Sequence, residues 1–189
     1  MYTKKVIIIL VCSCFTIAGC LAKKNNPIET KEQAVKKQIA QASQLEVKDN
    51  KNGWLVNFEE VYQKSVKENK PIMANFTGSD WCGWCKKLKK AVFDTQVFKD
   101  WAKENVILLE LDYPRRTPQD PEIKKQNQAL QQSFRGLVRG YPTVLIFYIE
   151  RTYDGDDKKS DGIKVHGKMG YMGDPNSFIN VANSYLEKR

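Results

Sequence analysis

Two cysteines separated by two residues, Cys82 and Cys85, are the side chains in this sequence best suited to chemistry. They follow an apolar stretch and a short loop, where a helical pattern begins near Gly83. A cysteine at a helix N-terminus faces the positive end of the dipole and unpaired N–H groups, which favour the thiolate. Lys86 and Lys87 add positive charge. The pattern predicts an exposed, nucleophilic Cys82 and a more buried Cys85 that resolves a mixed disulfide.

The N-terminal segment has the features of an export signal. Lys4 and Lys5 precede an apolar run that ends at Ile17-Ala18-Gly19-Cys20. A basic start, a short apolar segment and small residues at its end are typical of such signals. The ending resembles the bacterial lipobox, in which cleavage precedes a cysteine whose sulfur receives a diacylglyceryl group. An uncleaved anchor or an ordinary signal peptide is the alternative.

This interpretation divides the chain and reduces the number of competing cysteines. The predicted segments are a lipoprotein signal peptide (1–19), the lipidated Cys20 with a polar linker (20–52), and a folded domain (53–189). Cys12 and Cys14 would leave with the signal, so Cys82 and Cys85 remain as a pair. A two-residue gap is too short to staple distant parts of a domain. We therefore expect a redox-active disulfide rather than a structural one.

The charge of the chain favours a solvated basic surface, attracted to anionic lipid headgroups, over nucleic-acid binding. Lys and Arg number 31 against 22 Asp and Glu, a formal net charge of +9, or +7 without Lys4 and Lys5. The lysines are scattered and no basic-aromatic motif stands out, so nucleic acid is not expected as a partner. Together with the lipid, this predicts a bacterial cell-envelope protein, anchored to a membrane and facing the periplasm or extracytoplasmic space.

The pattern of apolar residues predicts the elements that must position the cysteines. They are a helix from Phe58 capped by Asn57, strand 71–76, a helix from Gly83, a helical turn at Phe98 and Trp101, strand 106–111, helix 122–134, strands 143–149 and 163–168, and a helix from Pro175 capped by Asp174. Crossover connections predict a parallel central pair, and the last two strands an antiparallel hairpin. Residues 151–162 predict an exposed connection within that hairpin. Trp54 and Trp101 are expected in the core.

A second motif, Gly140-Tyr141-Pro142-Thr143, lies just before the third strand. With Trp81-Cys82-Gly83-Trp84-Cys85-Lys86, it resembles the cis-proline loop and active-site motif of the thioredoxin superfamily. The strand order matches the thioredoxin fold, an α/β fold with a central mixed β-sheet flanked by helices, over roughly residues 54–188. Residues 76–85 also resemble bacterial envelope thioredoxin-like lipoproteins and the reductase domain of Dsb-type disulfide reductases.

The resemblance implies roles for residues in both motifs. Cys82 and Cys85 would be catalytic, and no cofactor beyond their own disulfide is expected. Pro142 would be cis and lie against the two sulfurs, leaving the Tyr141 backbone free to pair with an extended substrate. A simple turn proline is the alternative. The implied substrate-binding residues are Trp81, Gly83, Trp84, Tyr141 and Pro142.

The sequence departs from the family at the position of a catalytic acid. Thioredoxins carry a buried acid in the strand before the motif, which assists proton removal from the second cysteine; here Asn75 stands there. Related reductase domains often have an acid in the active-site helix where this chain has Lys89. The remaining candidates for the proton are water and Asp80.

Other kinds of site are less well supported. A closed zinc site needs about four ligands, and the only histidine is His166, so no metal is expected. Covalent haem attachment needs a histidine directly after the second cysteine, which this chain lacks. Arg115 and Arg116 could dock an acidic partner, although two loop arginines are usually solvated.

The direction of electron flow is predicted from the residues between the cysteines. Gly83-Trp84 supplies no titrating group, which favours a reductase or isomerase over a primary oxidant. Lys86 and Lys87 act in the opposite sense by stabilising a thiolate. The expected partners are protein disulfides or thiols and a membrane thiol electron donor. The alternative is a thioredoxin-fold binding or scaffold lipoprotein without turnover.

Overall fold

A computed structural model describes residues 53–153 and 159–187. The predicted signal peptide, the lipidated Cys20 and the linker lie outside the described residues. Within the two described ranges, no helix has both the length and the apolar character needed to cross a membrane.

Helices and strands follow one another along the chain in the predicted order. They are α1 (Phe58–Glu68), β1 (Ile72–Thr77), α2 (Gly83–Leu88) with a π-helical continuation (Lys89–Phe93), α3 (Gln96–Asn105), β2 (Ile107–Asp112), α4 (Pro121–Ser133), β3 (Thr143–Tyr153), β4 (Lys159–Met169) and α5 (Pro175–Leu186). The predicted helical turn around Phe98 is in fact the 10-residue helix α3.

The strands form one mixed sheet in the order β2-β1-β3-β4. β1 pairs with β2 in parallel, and β3 pairs antiparallel with both β1 and β4. The predicted parallel pair and hairpin are therefore confirmed. The prediction of a connecting loop over 151–162 is wrong at both ends, because β3 continues to Tyr153 and pairs with β4 from Lys159 onwards. Backbone hydrogen bonds sustain this pairing whatever the polarity of the side chains.

Local signals in the sequence set the helix boundaries. The Asn57 side chain accepts a hydrogen bond from the Glu60 N–H, and α1 ends at Asn69, whose φ of 53° is left-handed. The Asp174 carboxylate caps α5 by accepting from the Ser177 N–H at 2.7 Å. Pro175 occupies the first turn, where its missing N–H costs nothing.

Alternation along the strands gives the sheet two apolar faces. On one face, Met73 and Leu108 pack in a cluster with residues of α2, α3 and α5. On the other, Ile72 and Leu109 pack in a cluster with residues of α1 and α4. The faces alternate because successive side chains of a strand point to opposite sides. The active-site helix α2 therefore lies on the face that carries Met73.

Aromatic rings fill the core on the α2 face. Trp54 is buried, as predicted, and its ring lies 4.9 Å from that of Phe93. Trp101 is only partly buried and packs at the edge of this cluster, where its Nε1–H donates to Asn183 Oδ1 at 2.8 Å. Phe178 of α5 is completely enclosed.

Replacing Phe178 with alanine should destabilise the fold strongly. Its ring centroid lies 5.6 Å from that of Phe93 and 5.9 Å from that of Phe98, so truncation leaves a cavity between three helical segments. We expect a loss of about 3–5 kcal/mol in the free energy of unfolding, measured by urea denaturation. Val97→Ala, at an exposed position on α3, is the control and should cost less than about 0.5 kcal/mol. A loss below about 1 kcal/mol for Phe178→Ala would contradict this packing.

Candidate active site

Cys82 and Cys85 form a disulfide at the N-terminus of α2, with their Cα atoms 5.3 Å apart. Cys82 is the N-cap residue, and its Sγ accepts a hydrogen bond from the Cys85 N–H at 3.2 Å. The prediction of an exposed Cys82 is wrong in this state, because both cysteines are buried, with exposed fractions of 6% and 5%. The disulfide holds the Cys82 sulfur against the first turn of the helix. The same N–H can stabilise a Cys82 thiolate after reduction.

A tight turn after β1 determines where α2 begins. The Cys82 N–H donates to the Gly78 carbonyl at 2.8 Å, closing the loop that joins strand to helix. The Ser79 N–H donates to Asp112 Oδ1 at 2.8 Å, which attaches this loop to the end of β2. Gly78 must lack a side chain, because a Cβ there would overlap the indole ring of Trp81. The carboxyl ends of β1 and β2 thus fix the cysteine pair.

Trp81 is held between the cysteines and a neighbouring loop. Its Nε1–H donates to the Tyr113 carbonyl at 2.9 Å, and its ring meets that of Tyr141 edge-on at 5.6 Å. The Arg115 guanidinium lies over the ring, 3.8 Å from its centroid. Trp81 is therefore an anchored, half-buried side chain rather than a freely exposed rim residue.

Trp84, one of the residues that the family resemblance implies for substrate binding, forms an exposed apolar surface. Its side chain is 55% exposed, and its ring lies 4.8 Å from that of Tyr171, which is 41% exposed. Lys87 Nζ lies over the indole, 4.2 Å from its centroid. Gly83, beside it, is exposed and has open space around its Cα. Sequence reasoning missed Tyr171; an aromatic residue in the loop before the Asp174 cap was the available signal.

The Tyr141–Pro142 peptide bond is cis, as the family resemblance implied. Pro142 is buried, and Thr143 Oγ1 donates to the Gly140 carbonyl at 2.7 Å across the turn. The Tyr141 hydroxyl accepts a hydrogen bond from Gln131 Nε2 of α4. Partial burial, the largest cause, raises the pKa of Tyr141. Tyr141 is thereby a neutral, fixed side chain next to Trp81.

Asp80 is not available as the proton acceptor that the sequence left open. Its carboxylate accepts backbone N–H groups from the loop after β2: Arg116 at 2.6 Å, Thr117 at 2.9 Å and Arg115 at 3.1 Å. Desolvation raises the pKa of Asp80, but these N–H groups outweigh it and hold the pKa at about 2. Asp80 instead joins the active-site loop to the Arg115–Thr117 loop.

The other candidates take structural positions. Lys89 pairs with Asp94 in the π-helical turn. His166 lies on β4 with its ring 4.7 Å from that of Tyr148. Arg115 covers Trp81, so it is part of the site rather than simply solvated. Asn75 is buried on the α2 face of β1, beside Glu110 of β2, a residue that sequence reasoning did not single out.

Comparisons with known proteins agree with this arrangement. The thioredoxin-like family model matches residues 53–148. The chain is 32% identical over 94 residues to Disulfide bond reductase DsbH of Chlamydia pneumoniae, covering 50% of this chain and 55% of that protein. It is 32% identical over 95 residues to Thioredoxin-related protein DsbJ of the same organism, covering 48% of this chain and 27% of that protein. The chain thus spans only part of the length of these curated relatives.

A solved structure gives a similar result. That of DsbH Oxidoreductase aligns with a TM-score of 0.57 and 28% identity, covering 70% of this chain and 83% of that one. The likeness extends to chain regions beyond those matched by the family model.

Asp80→Asn should remove a pH-dependent part of the stability. Because the folded-state pKa of about 2 lies below the ordinary 3.8, the stabilisation is present above about pH 4 and lost as the pH falls through about 2. Urea midpoints measured from pH 2 to pH 7 should show the variant weaker than wild type at pH 7 and equal to it near pH 2. Asp100→Asn, at an exposed position on α3, is the control. A difference between Asp80→Asn and wild type that does not vary with pH would contradict the assignment.

Proposed function

The chain belongs to the thioredoxin-like family, and from that premise we propose that it is a thiol–disulfide oxidoreductase acting on protein disulfides in the cell envelope. The observation that carries this proposal is the Cys82–Cys85 disulfide, capping the first turn of α2. A disulfide between residues three apart joins no distant parts of the fold, which supports a chemical rather than a structural use.

Reduction of a substrate disulfide proceeds in two exchanges. The Cys82 thiolate attacks one substrate sulfur, a mixed disulfide forms, and the other substrate sulfur leaves as a thiolate. Cys85 then loses its proton and attacks the Cys82 sulfur, which forms the Cys82–Cys85 disulfide and releases the second substrate sulfur. Both substrate thiolates take up protons. An external dithiol, proposed here to be a membrane thiol donor, returns two electrons to the pair.

Substrate binding is proposed for the surface around the disulfide. Trp84 and Tyr171 provide exposed aromatic area beside Cys82. Tyr141 precedes β3 rather than lying within it, which supports pairing of its backbone with an extended substrate segment. Main-chain pairing does not depend on the side chains of the substrate, so such a site accepts many protein disulfides.

The reductase or isomerase direction is supported by the residues next to the sulfurs. Gly83 and Trp84 carry no titrating group. The name of one relative, Disulfide bond reductase DsbH, points the same way. The envelope location rests on the export signal and Cys20 in the sequence.

Cys82→Ser should reduce turnover to the background rate. Reduction of insulin by the purified protein, with a dithiol donor, measures it. Cys85→Ala should instead accumulate mixed disulfides, because attack by Cys82 is retained while resolution is lost. Cys20→Ser is the matched control and should turn over like wild type. Absence of wild-type turnover with any donor, together with no trapped mixed disulfide, would instead indicate a binding or scaffold protein.

Cys20→Ala should release the protein from membranes. A diacylglyceryl group supplies the proposed anchor, and without it the polar linker and domain have no comparable apolar attachment. Fractionation of cells, followed by extraction with detergent, distinguishes anchored from released protein. Unchanged membrane retention of Cys20→Ala would refute lipid anchoring while leaving the redox proposal intact.

A further inference from the structure

Polar residues interrupt the apolar face of the sheet below the active site. Met73 of β1 and Leu108 of β2 are register partners in the core, and two residues further along the strands are Asn75 and Glu110, also register partners. Parallel neighbours in register point to the same side of a sheet, with Cβ atoms about 5 Å apart. We call the buried Asn75 and the half-buried Glu110 the polar pair.

The side-chain oxygen of Asn75 is a hydrogen-bond acceptor that has no donor among the described residues. Its side chain is only 6% exposed, and its Oδ1 accepts no hydrogen bond from any residue in the part of the chain that the structure describes. Its register partner on β3 is Val144, which has no polar side-chain group. A buried carbonyl oxygen left unpaired is destabilising, so a donor on the Glu110 side is favoured.

Glu110 can supply that donor when it is protonated. Burial, and then the nearby Asp112 charge, raise the pKa of Glu110, while Lys89 in the π-helical turn lowers it. The two neighbouring charged groups have partners of their own. The Asp112 carboxylate accepts a hydrogen bond from the Ser79 hydroxyl, and the Lys89 ammonium forms an ion pair with Asp94. A carboxyl group that holds its proton is a hydrogen-bond donor.

The position of Cys85 over the sheet follows from the packing of α2. Cys85 and Leu88 are both buried on α2 and three residues apart, so they share the side of the helix that faces the sheet. Leu88 belongs to the apolar cluster of Met73 and Leu108. Because α2 runs back along β1, the three-residue step from Leu88 to Cys85, about 4.5 Å along the helix axis, has the same direction as a two-residue step of about 6.6 Å along the strands. A displacement in that direction leads from Met73 and Leu108 toward the polar pair.

We propose that Glu110 takes the proton that Cys85 gives up, and that Asn75 Oδ1 receives the resulting O–H in the disulfide form. This rests on the proposed function. In the mixed disulfide, the Cys85 S–H transfers its proton to the Glu110 carboxylate while its sulfur attacks Cys82. The Cys82–Cys85 bond forms, the bond from Cys82 to the substrate sulfur breaks, and the substrate thiolate takes a proton from water. On reduction by a donor the proton returns to Cys85.

The two exchanges can be followed separately with dithiobis(nitrobenzoic acid) as the probe disulfide. The reduced protein, purified from membranes in detergent, releases one coloured thiolate when Cys82 attacks and a second when Cys85 resolves the mixed disulfide. The second phase is identified as the one that Cys85→Ala abolishes. Stopped-flow records from pH 5 to pH 10 give a pH profile for each phase.

Glu110→Gln keeps the size and a donor for Asn75 but cannot accept a proton. We expect the second phase to slow by about 100-fold at neutral pH, the first phase to be unchanged, and the difference to vanish above the pKa of Cys85 itself. Adding Asn75→Asp to this variant should restore the second phase by supplying a carboxylate one strand away. Glu104→Gln, at an exposed position on α3, is the matched control and should alter neither phase.

Wild-type protein provides an independent measurement if Glu110→Gln folds poorly. The infrared difference between oxidised and reduced protein should contain the C=O band of a protonated carboxyl in the oxidised state. An unchanged second phase in Glu110→Gln, or no such band in wild type, overturns the assignment of Glu110 while leaving the oxidoreductase function standing. Absence of both phases in wild type overturns the proposed function itself.

Discussion

Helix α2 must have Cys82 as its N-cap residue, because only then does a free N–H of the first helical turn meet the Cys82 sulfur. The Cys85 N–H donates to Cys82 Sγ, and a helix starting one residue earlier or later would direct that group elsewhere. The start is set by the turn from Gly78, whose carbonyl accepts from the Cys82 N–H. This turn is attached to the end of β2 by the hydrogen bond from the Ser79 N–H to Asp112. The redox pair is therefore positioned by backbone contacts at the carboxyl ends of two parallel strands.

The same strand ends bring a second loop to the site. The Asp80 carboxylate accepts hydrogen bonds from three N–H groups of the loop after β2. The same loop contains Arg115, whose guanidinium lies over the ring of Trp81. Trp81 in turn contacts Tyr141, next to the cis bond. Asp80 thus links the cysteine loop to the arginine loop, and Trp81 links the cysteine loop to the proline loop. The charge of Asp80 is used in holding loops together, which separates it from the proton chemistry of the cysteines.

Much of the fold could be predicted because its signals are local. Alternating apolar patterns, the Asn57 and Asp174 caps and the two motifs gave the element order, the parallel pair and the cysteine site. The burial of Cys82 was missed, because a position at a helix N-terminus does not determine how far the surrounding chain covers the sulfur. The length of the β3–β4 hairpin was missed because ladder hydrogen bonds leave no trace in polarity.

The site residues that sequence reasoning missed, Glu110 and Tyr171, are placed there by contacts between segments that are distant in the sequence. In the sequence, Glu110 is a single polar residue within an apolar strand. Only the register of the sheet shows that it is the neighbour of Asn75. Tyr171 lies almost ninety residues from Trp84 and meets it through the fold.

The central claim is that Cys82 and Cys85 cycle between dithiol and disulfide in the cell. Acid quenching of intact cells, followed by labelling of free thiols with a mass tag, measures the redox state directly. The account expects the pair to be mostly reduced in growing cells, oxidised after a pulse of a thiol oxidant, and reduced again on recovery. A pair that stays disulfide-bonded throughout, before and after the pulse, would contradict it.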